Sequence, residues 1–362
     1  MSDVKVPLIV PAGANRYRSL GIFWTIVAAI LIGGGATLQV MGPPVHPNKQ
    51  VVYIAPGDEK PAPAPAPPPA PAGPEKPDLI PAPLPALEEP APDFAGHFLP
   101  VKGPDGRLPM VVYKAPFDAA DKHPKVVLVI DGVGINQEQT MHLLDALPGP
   151  VDIALSAYMP EDQAARVTAE ARRTGHECLQ SIPMEPNNFP MADEGAHQLM
   201  QTHDAESNRQ DLEFALSRVP GCVGATGASD GMSGEHFAQD GLSFSQVLEE
   251  AGKRGLLYLD PRTGAPALAS EPETAVSVVD LIVDQSPAPE QPVTAEMIDQ
   301  RLASLEKLAL ERGRAIGLAG PPQPVMLERI AIWAHGLAAR GVTLAPLSSV
   351  QALPKAADED AN

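Results

Sequence analysis

Polar side chains that could take part in chemistry follow several apolar runs of this sequence. The run KVVLVI ends on Asp131, and Gly132 comes next. In many α/β enzymes a buried strand that ends on a carboxylate presents a catalytic or metal-binding acid. Six further polar residues follow later apolar runs: Ser181, Glu185, Asp230, Asp260, Arg262 and Asp284. We take Asp131 and Arg262 as the candidate catalytic residues, if the protein is an enzyme, and the other five as candidate pocket residues.

The elements that would position these residues alternate regularly from residue 125 onward. Eight apolar segments read as strands: KVVLVID, VDIALSA, HECLQSI, CVGAT, LLYLD, VSVVDLIVD, RAIGLA and VTLAPL. Amphipathic segments predict helices over 137–147, 162–174, 205–219, 243–254, 295–312 and 326–340. Four glycines are placed to end helices: Gly175, Gly255, Gly313 and Gly341. This alternation predicts a parallel α/β sheet that is closed, or nearly closed, into a barrel, with function at the carboxyl ends of its strands.

Composition limits the classes of function. The 362-residue chain has 45 acidic and 26 basic residues and a formal net charge of −19. This charge argues against nucleic-acid binding through a basic surface. Two cysteines are too few for a cysteine-rich zinc module. Cys178 and Cys222 could form a disulfide in an oxidising compartment or remain a free buried pair, and the sequence leaves both open.

The N-terminal part has a composition of its own. Residues 20–38, LGIFWTIVAAILIGGGATL, carry no charge and predict an uncleaved transmembrane anchor over 19–41. Lys5, Arg16 and Arg18 predict that residues 1–18 stay cytoplasmic. The Pro- and Ala-rich stretch 42–93 predicts a disordered linker that could extend for about 100–150 Å. A folded domain over 94–353 and an acidic disordered tail over 354–362 complete a single-pass protein of the bacterial inner membrane, with its domain in the periplasm.

Several motifs together resemble the divergent polysaccharide deacetylase family of bacterial envelope proteins. They are VVLVIDGVG, LPGPVDIALSAYMP, ARRTGHECLQSIPMEP, YLDPRTG, VVDLIVD and AIGLAGPPQP, within residues 98–350. That family is distantly similar to metal-dependent deacetylases of chitin and peptidoglycan. The resemblance implies a distorted (β/α) barrel and a metal bound by one acid and two histidines, which would polarise an amide and activate water.

The chain departs from the family pattern at the metal site. The second acid of the family's Asp-Asp motif falls on Gly132, and the two histidine ligand positions fall on Ser181 and Ala228. A further histidine of the family, in a Gly-His-Pro motif, falls on Gly320. Other positions agree with the family, among them Asp131, Glu185, Asp260, Arg262, Thr263, Asp280 and Asp284. The resemblance therefore implies a degenerate metal site, and we expect no cofactor.

The remaining histidines do not replace these ligands. His176 precedes the third strand, at the opposite end of the barrel. His197, His203, His236 and His335 fall in predicted loops or helices. We expect all five to be surface or packing residues.

Two main hypotheses and one further alternative follow. The first is a non-catalytic envelope-binding or regulatory module linked to carbohydrate metabolism, with peptidoglycan, another envelope glycan or a periplasmic protein as its partner. In it, Asp131, Asp260, Asp284 and Arg262 form either a structural ion-pair network or a ligand pocket. The second is a metal-dependent hydrolase that deacetylates an N-acetylated envelope glycan. It would use Asp131 as base and one divalent metal held by Glu185, Asp260 and Asp284. A purely structural tether between membrane and wall is the third.

Overall fold

The computed structural model describes residues 82–265, 274–286 and 291–351, together with Trp24. Within these residues, no helix has both the length and the apolar character needed to cross a membrane. The predicted anchor, apart from Trp24, lies outside the described residues. So do the predicted linker up to residue 81 and the predicted tail.

Parallel strands form the centre of the domain. The strands are β1 Glu88–Pro90, β2 Phe98–Pro100, β3 Lys125–Val133, β4 Val151–Leu155, β5 Cys178–Ser181, β6 Gly224–Thr226, β7 Leu257–Asp260, β8 Val276–Val278, β9 Leu281–Ile282, β10 Arg314–Ala319 and β11 Thr343–Leu344. The main sheet runs β8-β7-β6-β5-β4-β3-β10-β9, and β11 pairs with the start of β3. The predicted segment VSVVDLIVD is divided, since β8 pairs with β7 and β9 with β10. The predicted parallel α/β sheet is confirmed as a half-barrel. Its end strands β8 and β9 are consecutive in the chain but do not pair with each other, so the predicted closure is not found among the described residues.

Helices connect most of these strands. They are α1 Pro109–Val112, α2 Gln137–Ala146, α3 Glu161–Thr174, α4 Ala205–Ser217, α5 Gly241–Lys253, α6 Ala295–Arg312 and α7 Pro324–Gly336. Asn136 and Asp204 begin α2 and α4 by accepting a hydrogen bond from a first-turn N–H. Gly175 and Gly313 end α3 and α6 in the left-handed conformation, with φ of 93° and 81°. The six predicted helices are therefore present.

Alternation along the strands separates an interior from an exterior face. Val127, Val129 and Leu179 pack with apolar residues of β4, β7 and β10 and of the terminal segments. Val126 and Leu128 instead pack against helices. Because side chains alternate along a strand, Asp131 and Ser181 are on the interior face at the carboxyl ends of β3 and β5. We call this end, with the loops after it, the mouth, and the opposite end the base.

The lead-in to β3 departs from the predicted linker. Within 82–93, β1 pairs antiparallel with β2, and Leu87 and Ala91 are buried. Arg254 binds Glu89 at 2.9 Å, and Arg209 binds Asp93 at 2.6 Å. This part of the predicted disordered linker is therefore folded, because its apolar side chains are buried and its acidic side chains form ion pairs with arginines of the domain.

The two cysteines are joined. Cys178 begins β5 and Cys222 lies two residues before β6. Their Cα atoms are 4.8 Å apart, and a disulfide links them across 44 residues of sequence. Of the two alternatives that the sequence leaves open, the structure shows the disulfide.

Candidate functional site

Asp131 is the most buried acid of the mouth that faces the barrel interior. Its side chain is 2% exposed, and the backbone N–H of Gly231 donates to Oδ2 at 3.2 Å. Oδ1 is buried without a hydrogen-bond partner among the described residues. Burial, together with the charges of Asp284 and Asp230, raises the pKa of Asp131 to about 7.

Two glycines next to Asp131 leave no room for side chains. A Cβ on Gly132, where φ is +66°, would lie 2.8 Å from Cβ of Pro321 and 3.2 Å from Oδ1 of Asp230. A Cβ on Gly320 would lie 2.1 Å from Oδ1 of Asp131. Atoms of Pro321, Asp230 and Asp131 therefore occupy the space that an acid or a histidine side chain would need at these two positions.

The other two substituted positions offer no nitrogen ligand. Ser181 is 1% exposed and its Oγ has no described partner, while Ala228 is fully buried. Among the described residues, no group of three or more His, Cys, Asp or Glu side chains is placed to hold a metal ion. On donor chemistry and on space, the three ligand positions Gly132, Ser181 and Ala228 do not fit the metal that the family resemblance implies.

Asp260, which is fully buried, forms an ion pair with the partly buried Arg262. Nη2 of Arg262 lies 2.6 Å from Oδ2 of Asp260, and Nε lies 2.9 Å from Oδ1. The guanidinium also lies 4.6 Å from the ring centroid of Phe244 on α5. Tyr258 packs on the same outer side of β7, so by alternation Asp260 faces α5 rather than the barrel interior.

The hypothesis of one network containing Asp131, Asp260, Asp284 and Arg262 is therefore corrected. Arg262 pairs with Asp260, whereas Oδ2 of Asp284 accepts from the N–H of Gly320 at 3.0 Å. Burial raises the pKa of Asp284. The strand alternation that places Asp131 inside the barrel and Asp260 outside separates the two groups.

Glu185 has a third environment. Its Oε2 accepts from the N–H of Gln201 at 2.9 Å, and its Oε1 lies 3.3 Å from Nδ1 of His236. The carboxylates of Glu185, Asp260 and Asp284 thus each bond to a different partner. The structure does not bring them together as the metal site of the second hypothesis.

Glu194, in the loop between β5 and α4, was not a candidate from sequence. Its side chain is 6% exposed, and neither carboxylate oxygen has a well-formed hydrogen bond among the described residues. Burial, with a contribution from the charge of Asp131, raises its pKa to about 9. This value includes the opposing effect of Ser229 and of the Met184 backbone, which lower the pKa. In sequence it is one acid in the loop MADEGAH, without periodicity or motif, so no local signal distinguished it.

A small cleft opens beside Asp131. Its volume is about 230 Å³, and its lining includes Gly132, Ile135, Asn136, Asp230 and Pro321. Asp230 is exposed and has a φ of +48°, in the turn that also carries the N–H donated to Asp131. A larger groove of about 550 Å³ lies between α4 and α5, and its lining contains none of the acids around Asp131.

His176, His197 and His203 lie in environments typical of packing or surface residues, as the sequence predicts. His176 is buried at the base, where its ring nitrogens lie 2.6 Å and 3.1 Å from carbonyl oxygens of Val151 and Leu144, so it is a packing residue. His197 and His203 both contact Asp211, at 3.0 Å and 3.4 Å.

Comparison with known proteins identifies the class to which this barrel belongs. The profile of the divergent polysaccharide deacetylase family matches residues 128–351, and the chain belongs to that family. No curated protein was found to match the chain.

Three solved structures are similar to this chain. An uncharacterised protein of Agrobacterium tumefaciens C58 is 28% identical over 70% of this chain and 99% of its own, with a TM-score of 0.62. The catalytic domain of a peptidoglycan N-acetylglucosamine deacetylase from Eubacterium rectale is 15% identical over 65% of this chain and 91% of its own, with a TM-score of 0.40. A family 4 carbohydrate esterase from Streptomyces lividans is 16% identical over 62% and 92%, with a TM-score of 0.32.

Proposed function

We propose that this chain is a membrane-anchored periplasmic protein whose deacetylase-like domain binds an envelope glycan and does not hydrolyse it through a metal. One observation carries the proposal. The positions of the family's metal ligands hold Gly132, Ser181 and Ala228, and Gly132 has no room for a ligand side chain. A domain that keeps the family fold but lacks the side chains that hold the metal is suited to binding a glycan without hydrolysing it.

The location rests on two features. Residues 20–38 are uncharged and follow basic residues, which favours an anchor with a cytoplasmic N-terminus. The disulfide between Cys178 and Cys222 is of a kind that persists in oxidising compartments such as the periplasm.

Protease treatment of whole cells and of spheroplasts tests the location. We expect the domain to be cut only after the outer membrane is opened, and the cysteines to resist alkylation until they are reduced. A domain that survives in spheroplasts and is cut only after lysis would contradict the periplasmic location.

Co-sedimentation tests the binding activity. The full chain, purified in mild detergent, would be mixed with insoluble peptidoglycan and with chitin, and its metal content would be measured by elemental analysis. We expect it to sediment with a glycan, to contain less than stoichiometric metal and to release no acetate. Stoichiometric metal with acetate release would overturn the proposal, as would a failure to bind any envelope glycan.

One observation favours the alternative, a hydrolase of an N-acetylated envelope glycan. The pKa of Asp131 is raised to about 7, the range in which a carboxylate serves as a general base near neutral pH. Acetate release that disappears in Asp131→Asn, while the variant still folds, would support this alternative. We place it second because Asp131 is covered by Gly320 and by the turn of Asp230 and Gly231.

A further inference from the structure

A further groove lies on the outside of the barrel, between α6 and α7. Its volume is about 440 Å³, which falls within the roughly 300–1,000 Å³ of ligand pockets. Leu302, Ala303 and Leu310 of α6 supply apolar lining, and Leu310 is 51% exposed. The lining contains none of the acids of the mouth, so this groove is separate from the candidate site.

The charged side chains of the groove are bonded to one another or to neighbours. Arg329 donates to both carboxylate oxygens of Asp299, at 2.7 Å each, and so joins α7 to α6. Nε of Arg340, in the turn after α7, lies 2.9 Å and 2.8 Å from the carboxylate oxygens of Glu306. Lys307 lies 3.7 Å from an acid of its own helix. An uncharged ligand would therefore fit this groove without breaking an ion pair.

Trp333 carries a hydrogen-bond donor that the described residues leave unsatisfied. It lies on α7, it lines the groove, and it is 8% exposed. Its Nε1–H is buried and has no acceptor within the part of the chain that the structure describes. Buried donors are normally satisfied, so an unsatisfied one in the lining of a groove indicates that a ligand or water supplies the acceptor. The groove thus offers apolar surface and one donor.

A proline-rich peptide has the complementary chemistry. In the polyproline helix the carbonyl oxygens make no internal hydrogen bonds, and proline has no N–H that would need an acceptor. Aromatic-lined grooves bind such peptides, because little entropy is lost when they are ordered. The chain itself contains a stretch of this kind, PAPAPAPPPAPA at 61–72, without a charged residue. A hydrocarbon chain would cover the same surface but would leave the indole N–H unsatisfied.

We propose that the groove between α6 and α7 binds residues 61–72 of a second copy of this chain, with the Trp333 N–H donating to one of their carbonyl oxygens. The site and its ligand go beyond the glycan-binding function and do not rest on it.

Reach favours a second copy over the same chain. The described part of the domain begins at Ala82, whose Cβ lies 3.0 Å from the position of a Cβ on Gly221, just before β6. The groove lies over β10, because α6 packs against that strand. Four strand spacings, about 19 Å, separate β6 from β10. With a helix diameter of about 10 Å added, this path takes most of the about 31 Å that ten residues of polyproline can span.

Fluorescence anisotropy tests the binding. A labelled peptide, PAPAPAPPPAPA, would be titrated with the full chain in mild detergent, with a glycine–serine peptide of equal length as the control. We expect saturable binding of the proline peptide alone. Trp333→Phe removes the donor and keeps an aromatic ring, so it should weaken binding about tenfold. Trp24→Phe, the same replacement at the chain's other tryptophan, should leave binding unchanged.

A second variant leaves the buried core intact. Ala303→Gln places an exposed side chain in the groove and should abolish peptide binding. Ser304→Gln, at the neighbouring exposed position outside the lining, is its control. Sedimentation velocity of the full chain then tests the second copy as the occupant. We expect self-association that Ala303→Gln and an excess of the peptide both reduce, and that Ser304→Gln does not.

Three results would overturn the inference: no binding of the proline peptide, equal binding of the glycine–serine peptide, or binding that Trp333→Phe and Ala303→Gln both leave unchanged. Peptide binding by a chain whose self-association does not respond to the peptide would overturn the second copy as the occupant. Co-sedimentation with glycans is read separately, because none of the groove variants lies at the mouth.

Discussion

At the base of the barrel Asp152 and Glu177 are buried and bonded, whereas at the mouth Asp131 and Glu194 are buried with few bonds. The N–H of Leu347 donates to Asp152 at 2.7 Å. Glu177 accepts from the N–H groups of Ala115 and Ser348, at 2.8 Å and 3.0 Å, and from the Ser348 hydroxyl. Asp131 accepts one weak bond and Glu194 none that is well formed.

This difference separates two uses of a buried acid. At the base, the carboxylates connect the lead-in at Ala115 and the C-terminal segment at Leu347 to the strands, so they stabilise the fold. Burial and the charge of Glu177 raise the pKa of Asp152. At the mouth, the buried acids form few hydrogen bonds to replace those they would make to water. Buried acids of this kind concentrate at the binding and catalytic sites of proteins.

The largest expected effect comes from removing a bonded acid of the base. Glu177→Ala leaves two backbone N–H groups and a hydroxyl without their acceptor, and we expect the free energy of unfolding to fall by about 3–5 kcal/mol. Urea denaturation followed by circular dichroism measures it. Glu194→Ala is the matched control at the mouth, where no well-formed hydrogen bond is lost, and its loss should be clearly smaller. Equal losses would break the distinction between the two ends.

The disulfide is the second feature of the base. It closes a loop between positions 178 and 222, so the double variant Cys178→Ala/Cys222→Ala should be less stable by about 2–4 kcal/mol. The melting temperature of the wild type with and without reductant gives the same comparison without mutation. A melting temperature that does not respond to reductant would show that the bridge adds little to the base.

A pH dependence distinguishes the mouth. The folded pKa of Glu194 is about 9, above an unfolded value of about 4.3, so folding binds a proton. Its contribution is therefore present below about pH 4.3 and is lost as pH rises toward 9. Between about pH 6 and about pH 8, the free energy of unfolding of the wild type should fall by up to about 3 kcal/mol more than that of Glu194→Gln. If the free energy of unfolding of the two proteins changed equally with pH, Glu194 would be charged in the folded state and the prediction would be wrong.

The smallest effect concerns the lost ligand position. Gly132→Asp restores the acid of the family motif, but φ of +66° and contact with Pro321 should destabilise the fold by about 1–2 kcal/mol without creating zinc affinity. Gly106→Asp is the control, because Gly106 has a φ of +81° and open space around it. A variant that binds zinc stoichiometrically would show that the mouth can still accommodate the family's metal.

The strand and helix periods predicted most of the fold. The apolar runs located β3 to β7 and β10, and the glycines after α3 and α6 marked their ends, because these signals are local. The division of VSVVDLIVD into β8 and β9 was not predicted, since both halves are equally apolar and only their neighbours differ. The folded stretch 82–93 was missed for a similar reason, because its composition resembles the linker and its partners lie on distant helices.

The sequence by itself determined the family, the alternating α/β pattern and the loss of histidines at Ser181, Ala228 and Gly320, because each depends on residue type and order. Only the tertiary structure decided which acids share a site. It placed Asp260 with Arg262 outside the barrel and Asp131 inside, added Glu194 from a loop without a motif, and set Asp230 over Gly132. Strand alternation, loop path and backbone space decide these pairings, and they act between residues far apart in the chain.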